Sequence, residues 1–197
     1  RAPQAATCSS TTSSAATSYL WSTGATTQSI TVMTAGEYYV TATVGTGCSG
    51  TSDTTDVTVY DNPTPTLFAD GPTTFCDGDN VHLTVNPAAS SYLWSTGAPG
   101  QTIEVTTAGS YWATVVDANG CSGISDTIDV TVNPLPEPTI TPDGPLEFCD
   151  GDSVTLTSSV ADAYLWSSGE TTQSIVVYSS GVFSVTVTDA NGCMGSS

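Results

Sequence analysis

Six cysteines, Cys8, Cys48, Cys76, Cys121, Cys149 and Cys193, carry the most definite chemistry of this 197-residue chain, and they fall two to each of three similar stretches. None belongs to a CxxC pair, so zinc binding and dithiol redox chemistry have no starting point. An even, regularly spaced set predicts a disulfide framework in an oxidising, extracellular setting. Pairing within each copy (Cys8 with Cys48, Cys76 with Cys121, Cys149 with Cys193) is the first expectation, because each copy carries a complete pair. The alternative is head-to-tail pairing of Cys8 with Cys121 and Cys76 with Cys193, which leaves Cys48 and Cys149 to neighbouring repeats. That alternative applies if the two cysteines of a copy stand at opposite ends of a sandwich, beyond the roughly 5.5 Å Cα separation that a bridge spans.

Carboxylates are the next candidates. Asp77 with Asp79, and Asp150 with Asp152, lie in repeated Asp-Gly-Asp turns, with Asp70, Asp143 and Glu147 close by in sequence. They are candidate calcium ligands, since a hard cation takes six to eight oxygens. The same residue types are what a tight turn needs, with Gly accepting positive φ and Asp bonding its own backbone, and no full EF-hand ligand string is present. Two carboxylates can also hydrolyse a glycoside, but here the pair recurs with the repeat. The single histidine, His82, sits in "NVHLTV" with no acidic partner in the pattern. A Ser-His-Asp arrangement therefore lacks an oriented base, His82 is expected to face solvent on a strand, and no catalytic residue is assigned.

Aromatic residues offer a third chemistry. An exposed row of tryptophans stacks on sugar rings, so Trp21, Trp94, Trp166 and Trp112 form a candidate glycan platform. The competing expectation is an Ig-type core tryptophan. It suits Trp21, Trp94 and Trp166, which recur 73 and 72 residues apart within "YLWSTG", "YLWSTG" and "YLWSSG". Trp112 stands alone where the other copies carry Tyr39 and Phe183, as another large residue on the same strand.

These residues ride on a repeat. "FCDGDNVHLTV" (Phe75 to Val85) matches "FCDGDSVTLTS" (Phe148 to Ser158), and "DANGCSG" (Asp117 to Gly123) matches "DANGCMG" (Asp189 to Gly195). Segments such as "EYYVTATV", "DTIDVTV" and "VFSVTVTD" alternate apolar and polar residues, the period of half-buried strands. Turn residues punctuate them, and no window holds a helical period. The predicted fold is all-β: three tandem Ig-like β-sandwich repeats of about 72 residues spanning 1–60, 61–133 and 134–197. On this reading the first lacks its leading strand, as judged against "PTITPDGPLEF", and the last lacks its closing strand, as judged against "DTIDVTV". Either the chain is an excerpt of a longer array or a neighbour supplies those strands. The joints "DNPTPT" (Asp61 to Thr66) and "NPLPEPT" (Asn133 to Thr139) read as stiff, extended connectors. Repeats this small bury only about 60% of their unfolded surface, so staples matter to them.

The charge balance excludes partners. Nineteen acidic residues stand against one basic residue, for a net charge of −18. Nucleic acid binding draws its affinity from Lys and Arg on phosphates, and anionic membrane surfaces attract the same residues. No apolar run approaches the roughly 18 residues of a membrane-inserted helix. The absence of lysine also excludes Lys-Asn isopeptide staples.

The run from Cys149 to Cys193 resembles the Ig-like and PKD-like tandem repeats of long surface adhesins and secreted proteins of gliding bacteria, cargo of the type IX secretion system. The motifs carrying the likeness are C-x-G-x-x-V-x-L, Y-x-W-S-x-G, T-T-x-S-I and T-D-A-N-G-C. The first copy departs from it, lacking "DGD" after Cys8 and "DAN" before Cys48. The resemblance implies extracellular stalks or filaments, at the cell surface or secreted. It also implies O-glycosylation at an Asp-Ser/Thr-apolar sequon, which Ser153 and Thr127 fit and Thr54 fits loosely. The expected function is a non-enzymatic structural protein, a segment of a repeat-built filament or adhesin. Its partners would be neighbouring repeats or copies of itself in a polymer. The alternative is a carbohydrate-binding or spacer module of a secreted enzyme, with surface glycans as partners.

Overall fold

The structure, a computed structural model, describes residues 16–45 and 47–197. It is all-β, and the chain divides into two compact units, 1–61 and 62–197. In the first unit β1 (Ser18–Trp21), β2 (Gly36–Tyr38), β3 (Val40–Thr43), β4 (Ser49–Thr51) and β5 (Thr55–Val57) form a β1-β3-β4 sheet and a β2-β5 pair.

The second unit holds the second and third sequence copies. The second copy contributes β6 (Thr66–Ala69), β7 (Thr74–Cys76), β8 (Val81–Asn86), β9 (Ser91–Trp94), β10 (Thr102–Val105), β11 (Gly109–Tyr111), β12 (Ala113–Val116), β13 (Ser122–Ile124) and β14 (Ile128–Asn133). One layer is the sheet β10-β8-β6 and the facing one is β13-β12-β9. A third set, β11-β14-β7, closes one flank. The third copy contributes β15 (Ile140–Pro142), β16 (Val154–Ser158), β17 (Ala163–Trp166), β18 (Ser174–Val177), β19 (Val185–Thr188) and β20 (Met194–Ser196), in sheets β15-β16-β18 and β17-β19-β20.

Period-two alternation explains these strands, because successive side chains point to opposite faces. Val81, Leu83 and Val85 of β8 are buried, while His82 and Thr84 between them are half-exposed. Val154 and Leu156 repeat the pattern on β16. Two cores result. One gathers Val81, Leu83, Val85, Val105, Val115 and Trp94, and the other gathers Val154, Leu156, Val177, Val185, Val187 and Trp166. The outward faces account for the threonine content. Hydroxyls of Thr84 and Thr102 meet across strands at 2.9 Å, as do those of Thr157 and Ser174, and of Thr186 and Ser196. Such cross-strand pairs stabilise a sheet by a few tenths of a kcal/mol to about 1 each.

The closing strand changes layers at a serine. The Ser125 hydroxyl accepts from the Ala113 amide at 2.9 Å and donates to the Asp126 carbonyl, and the Ser125 amide donates to the Ala113 carbonyl. That holds the corner between β13 and β14. Ser197 makes the same amide and hydroxyl contacts with Val185 in the third copy, and Ser52 makes them with Val40 in the first unit.

Candidate functional site

The joint between the second and third copies is where chemistry and architecture meet. Cys76 is bonded to Cys193, with a Cα separation of 5.6 Å and a sequence separation of 117. Each partner is presented by a repeated motif. Cys76 ends β7 just before an Asp-Gly-Asp turn, in which Gly78 has φ of 96° and the Asp79 amide donates to the Cys76 carbonyl at 3.1 Å. Cys193 sits in the β19–β20 hairpin, which Asp189 shapes. Its Oδ1 accepts from the amides of Asn191 and Cys193 at 2.9 Å each, while Gly192 takes a φ of 84°. The motif Asp-Ala-Asn-Gly-Cys is thus a hairpin that delivers a buried sulfur.

The connector runs beside the staple. Parallel pairing sets Asn133 of β14 opposite Cys76, and the Asp77 amide donates to the Asn133 carbonyl at 2.8 Å. Three residues later Pro136 rests its carbonyl on Gly195 of the hairpin, where a Cβ would overlap the carbonyl oxygen. Pro63 makes the same contact with Gly123, and Pro65 and Pro138 are buried. The proline joints, read from sequence as stiff, extended connectors, are each seated on a hairpin glycine of the copy they lead into.

Within-copy pairing, the first expectation from sequence, is overturned for Cys76 and Cys193. Cys121 precedes Ser122 at one end of the closing strand, whereas Cys76 lies opposite Asn133 at the other. The six residues of β14 alone run roughly 17 Å from Ile128 to Asn133, about three times a disulfide's span, and Cys76 lies beside the end farther along the chain from Cys121. With Cys193 taken, Cys149 is exposed and unbridged. Cys121 is half-buried, its amide donating to Asp117 at 2.9 Å. Cys48 is disulfide-bonded, and Cys8 lies outside the described residues.

Asp77, Asp79, Asp150 and Asp152 belong to exposed turns, and Gly151 repeats the positive φ at 95°. Among the described residues no group of three or more His, Cys, Asp or Glu side chains is placed to hold a metal ion. Asp70 and Asp143 have a different role. Each caps the start of the neighbouring strand, Asp70 accepting from the His82 amide and Asp143 from the Thr155 amide, both at 2.8 Å. Those bonds hold both carboxyls below their ordinary range.

His82 does have acidic neighbours, contrary to the expectation from sequence. Its Nδ1 lies 3.0 Å from Asp70 and its Nε2 4.0 Å from Glu104. Cross-strand register brings them together, since β10 sets Glu104 opposite His82 and β6 leads into Asp70. All three side chains are about half exposed.

Trp94 and Trp166 are each 2% exposed, with indole N–H groups donating to the carbonyls of Gly100 at 2.9 Å and Thr172 at 2.8 Å. Trp21 is half-buried and donates to Thr27 at 2.8 Å. Trp112 lies between β11 and β12, 42% exposed. Its counterparts are Tyr39 and Ser184, because Ser22, Ser95 and Ser167 donate equivalent amide hydrogens to Tyr39, Trp112 and Ser184. Phe183 is thereby the counterpart of Tyr111, which corrects the match of Phe183 to Trp112.

A second feature is the flank of the third copy. Residues 147–149 and 181–183, which correspond to β7 and β11, have no strand pairing and bound a groove of about 610 Å³. The sequence comparison anticipates this open flank, because "DTIDVTV" of the second copy has no match within the third.

No family model matches the chain, and no curated protein does. Solved structures similar to it include an amphioxus IgVJ-C2 molecule, at 24% identity and a TM-score of 0.30, with 49% of this chain and 60% of that one covered. The chain therefore spans less than two thirds of that structure. The fibronectin(III)-like modules of Clostridium thermocellum CbhA match at 16% identity and a TM-score of 0.32, covering 65% of this chain and 88% of theirs. A Bacteroides ovatus glucan-locus protein, SGBP-B, solved with a mixed-linkage heptasaccharide, matches at 14% identity and a TM-score of 0.22, covering 90% of this chain and 55% of that one.

Proposed function

We propose that the chain is a non-enzymatic, extracellular structural protein, a segment of a repeat-built filament or long cell-surface adhesin. The observation that carries this reading is the Cys76–Cys193 bridge alongside the proline connector. A joint tethered once can hinge, whereas a joint tethered by both peptide and disulfide, with Pro136 seated on Gly195, resists bending and extension. That suits a load-bearing stalk, as does an acidic surface with 19 carboxylates and one basic group, which keeps long arrays soluble. Ser153, Thr127 and Thr54 are exposed, so O-glycans at these positions fit without disturbing a core. The partners on this reading are neighbouring repeats or copies of the same chain.

Electron microscopy of the purified chain over a range of concentrations tests the proposal. Fibres whose subunits repeat along one axis are the expected result. Dispersed particles at every concentration contradict it. The exposed Trp112 favours the second reading, a carbohydrate-binding or spacer module. Saturable glycan binding that is lost in Trp112→Ala would move the assignment there.

A further inference from the structure

The outward face of the β10-β8-β6 sheet carries the chain's single imidazole between two carboxylates, one from each neighbouring strand's side. Asp70, which follows β6, fixes the ring. Its Oδ1 accepts from the His82 amide at 2.8 Å, and its Oδ2 lies 3.0 Å from Nδ1. The bond from the His82 amide is the first of the effects that hold the Asp70 carboxyl below its ordinary range. Near neutrality that carboxylate only accepts, which sets the ring proton on Nδ1 and leaves Nε2 with its electron pair. Nε2 faces Glu104, the residue directly opposite on β10, at 4.0 Å. Two acceptors at that distance make no hydrogen bond. A carboxylate that holds Nδ1–H while Nε2 faces a second electron-pair donor is the arrangement that orients a histidine for a metal ion. The third copy lacks it. Asp143 keeps its cap on the Thr155 amide, but Thr155 and Val176 stand opposite each other where the second copy has His82 and Glu104.

We propose that His82 and Glu104 form a binding site for a divalent transition-metal cation of the zinc type, with Asp70 as the carboxylate that positions the imidazole. Cations of this type take imidazole and carboxylate together, whereas Mg²⁺ and Ca²⁺ prefer oxygen ligands alone. Nitrogen and oxygen ligands of one zinc stand roughly 3 to 3.5 Å apart. The 4.0 Å between Nε2 and Glu104 closes by rotating the Glu104 side chain, which is 56% exposed and free to turn. Two protein ligands leave the other coordination positions to water, which distinguishes this site from the groups of three or more that are absent among the described residues. A cation held here ties β8 to β10 across the sheet. The site is independent of the filament reading, because a chain that forms no fibres binds the cation equally.

The test titrates zinc chloride alone into the full chain near neutral pH and follows the ring resonances of the one histidine by NMR. A saturable shift of the His82 signals is expected, at zinc concentrations at which Mg²⁺ leaves them in place. Asp70→Asn should weaken zinc binding about 10-fold or more, the usual effect of removing the group that orients a ligating histidine, and Glu104→Gln by at least as much. Zinc should also raise the melting temperature of the parent chain. His82→Thr, which installs the residue that the third copy carries at the matching position, should lose that rise. Because Cys149 is exposed and unbridged, the titration is repeated in Cys149→Ser, where the same shift is expected. Ring signals that stay in place in roughly millimolar zinc, an equal shift with Mg²⁺, or undiminished affinity in either carboxylate variant overturns the proposal.

Discussion

One residue, Ser158, is a misfit in its core. It occupies the place that Val85 holds in the second copy, is 2% exposed, and its hydroxyl has no hydrogen-bond partner. A buried, unsatisfied hydroxyl costs about 1–3 kcal/mol. Ser158→Val should therefore raise stability by roughly 1 kcal/mol, read as a higher denaturant midpoint at unchanged slope. The capping carboxylates behave oppositely. Asp70 is held low first by the His82 amide and Asp143 by the Thr155 amide. A carboxyl depressed by folding contributes stability that is present above its unfolded pKa and lost as pH falls through the folded one. Asp70→Asn and Asp143→Asn should lower the melting temperature near neutrality, with the difference from the parent chain vanishing well below the ordinary carboxylate range. A difference that persists unchanged in acid contradicts the capping role. Neither role was legible in sequence, because Asp70 and His82 meet only through strand register.

At the scale of elements, alternation and turn residues made the strands and the buried Trp94 and Trp166 readable, while Trp21 is only half-buried. The joints read as stiff connectors from their prolines, but composition alone does not tell a connector that stands free from one seated on a neighbouring hairpin. What distinguishes them is the glycine opposite, at Gly123 and Gly195, and that pairing is visible only in three dimensions. Gly123→Ala and Gly195→Ala should each cost about 1–3 kcal/mol, the usual effect of forcing a methyl into a filled site. Gly144→Ala, where a Cβ meets open space and φ is not positive, should stay within about 0.5 kcal/mol of the parent chain. Thermal melts of the three variants separate these outcomes. Equal melting temperatures for all three would remove the packed connector from the account.

At the scale of the molecule, the cysteine count was legible and the connectivity was not. Two cysteines per copy suggest closure within a copy, yet the strand joining the hairpin to the far end of the sandwich keeps Cys76 and Cys121 apart. The bridge that forms spans a joint and links residues 117 positions apart, and the chain-entropy model gives about 4.7 kcal/mol for a loop near 100 residues. The claim that successive repeats are stapled head to tail is most directly tested by peptide mapping without reduction. The only tryptic cleavage site is Arg1, so the digest must use a protease that cuts at acidic or aromatic residues. The account predicts a linked pair of peptides containing Cys76 and Cys193. Recovery of Cys76 linked to Cys121, with Cys149 linked to Cys193, would contradict it.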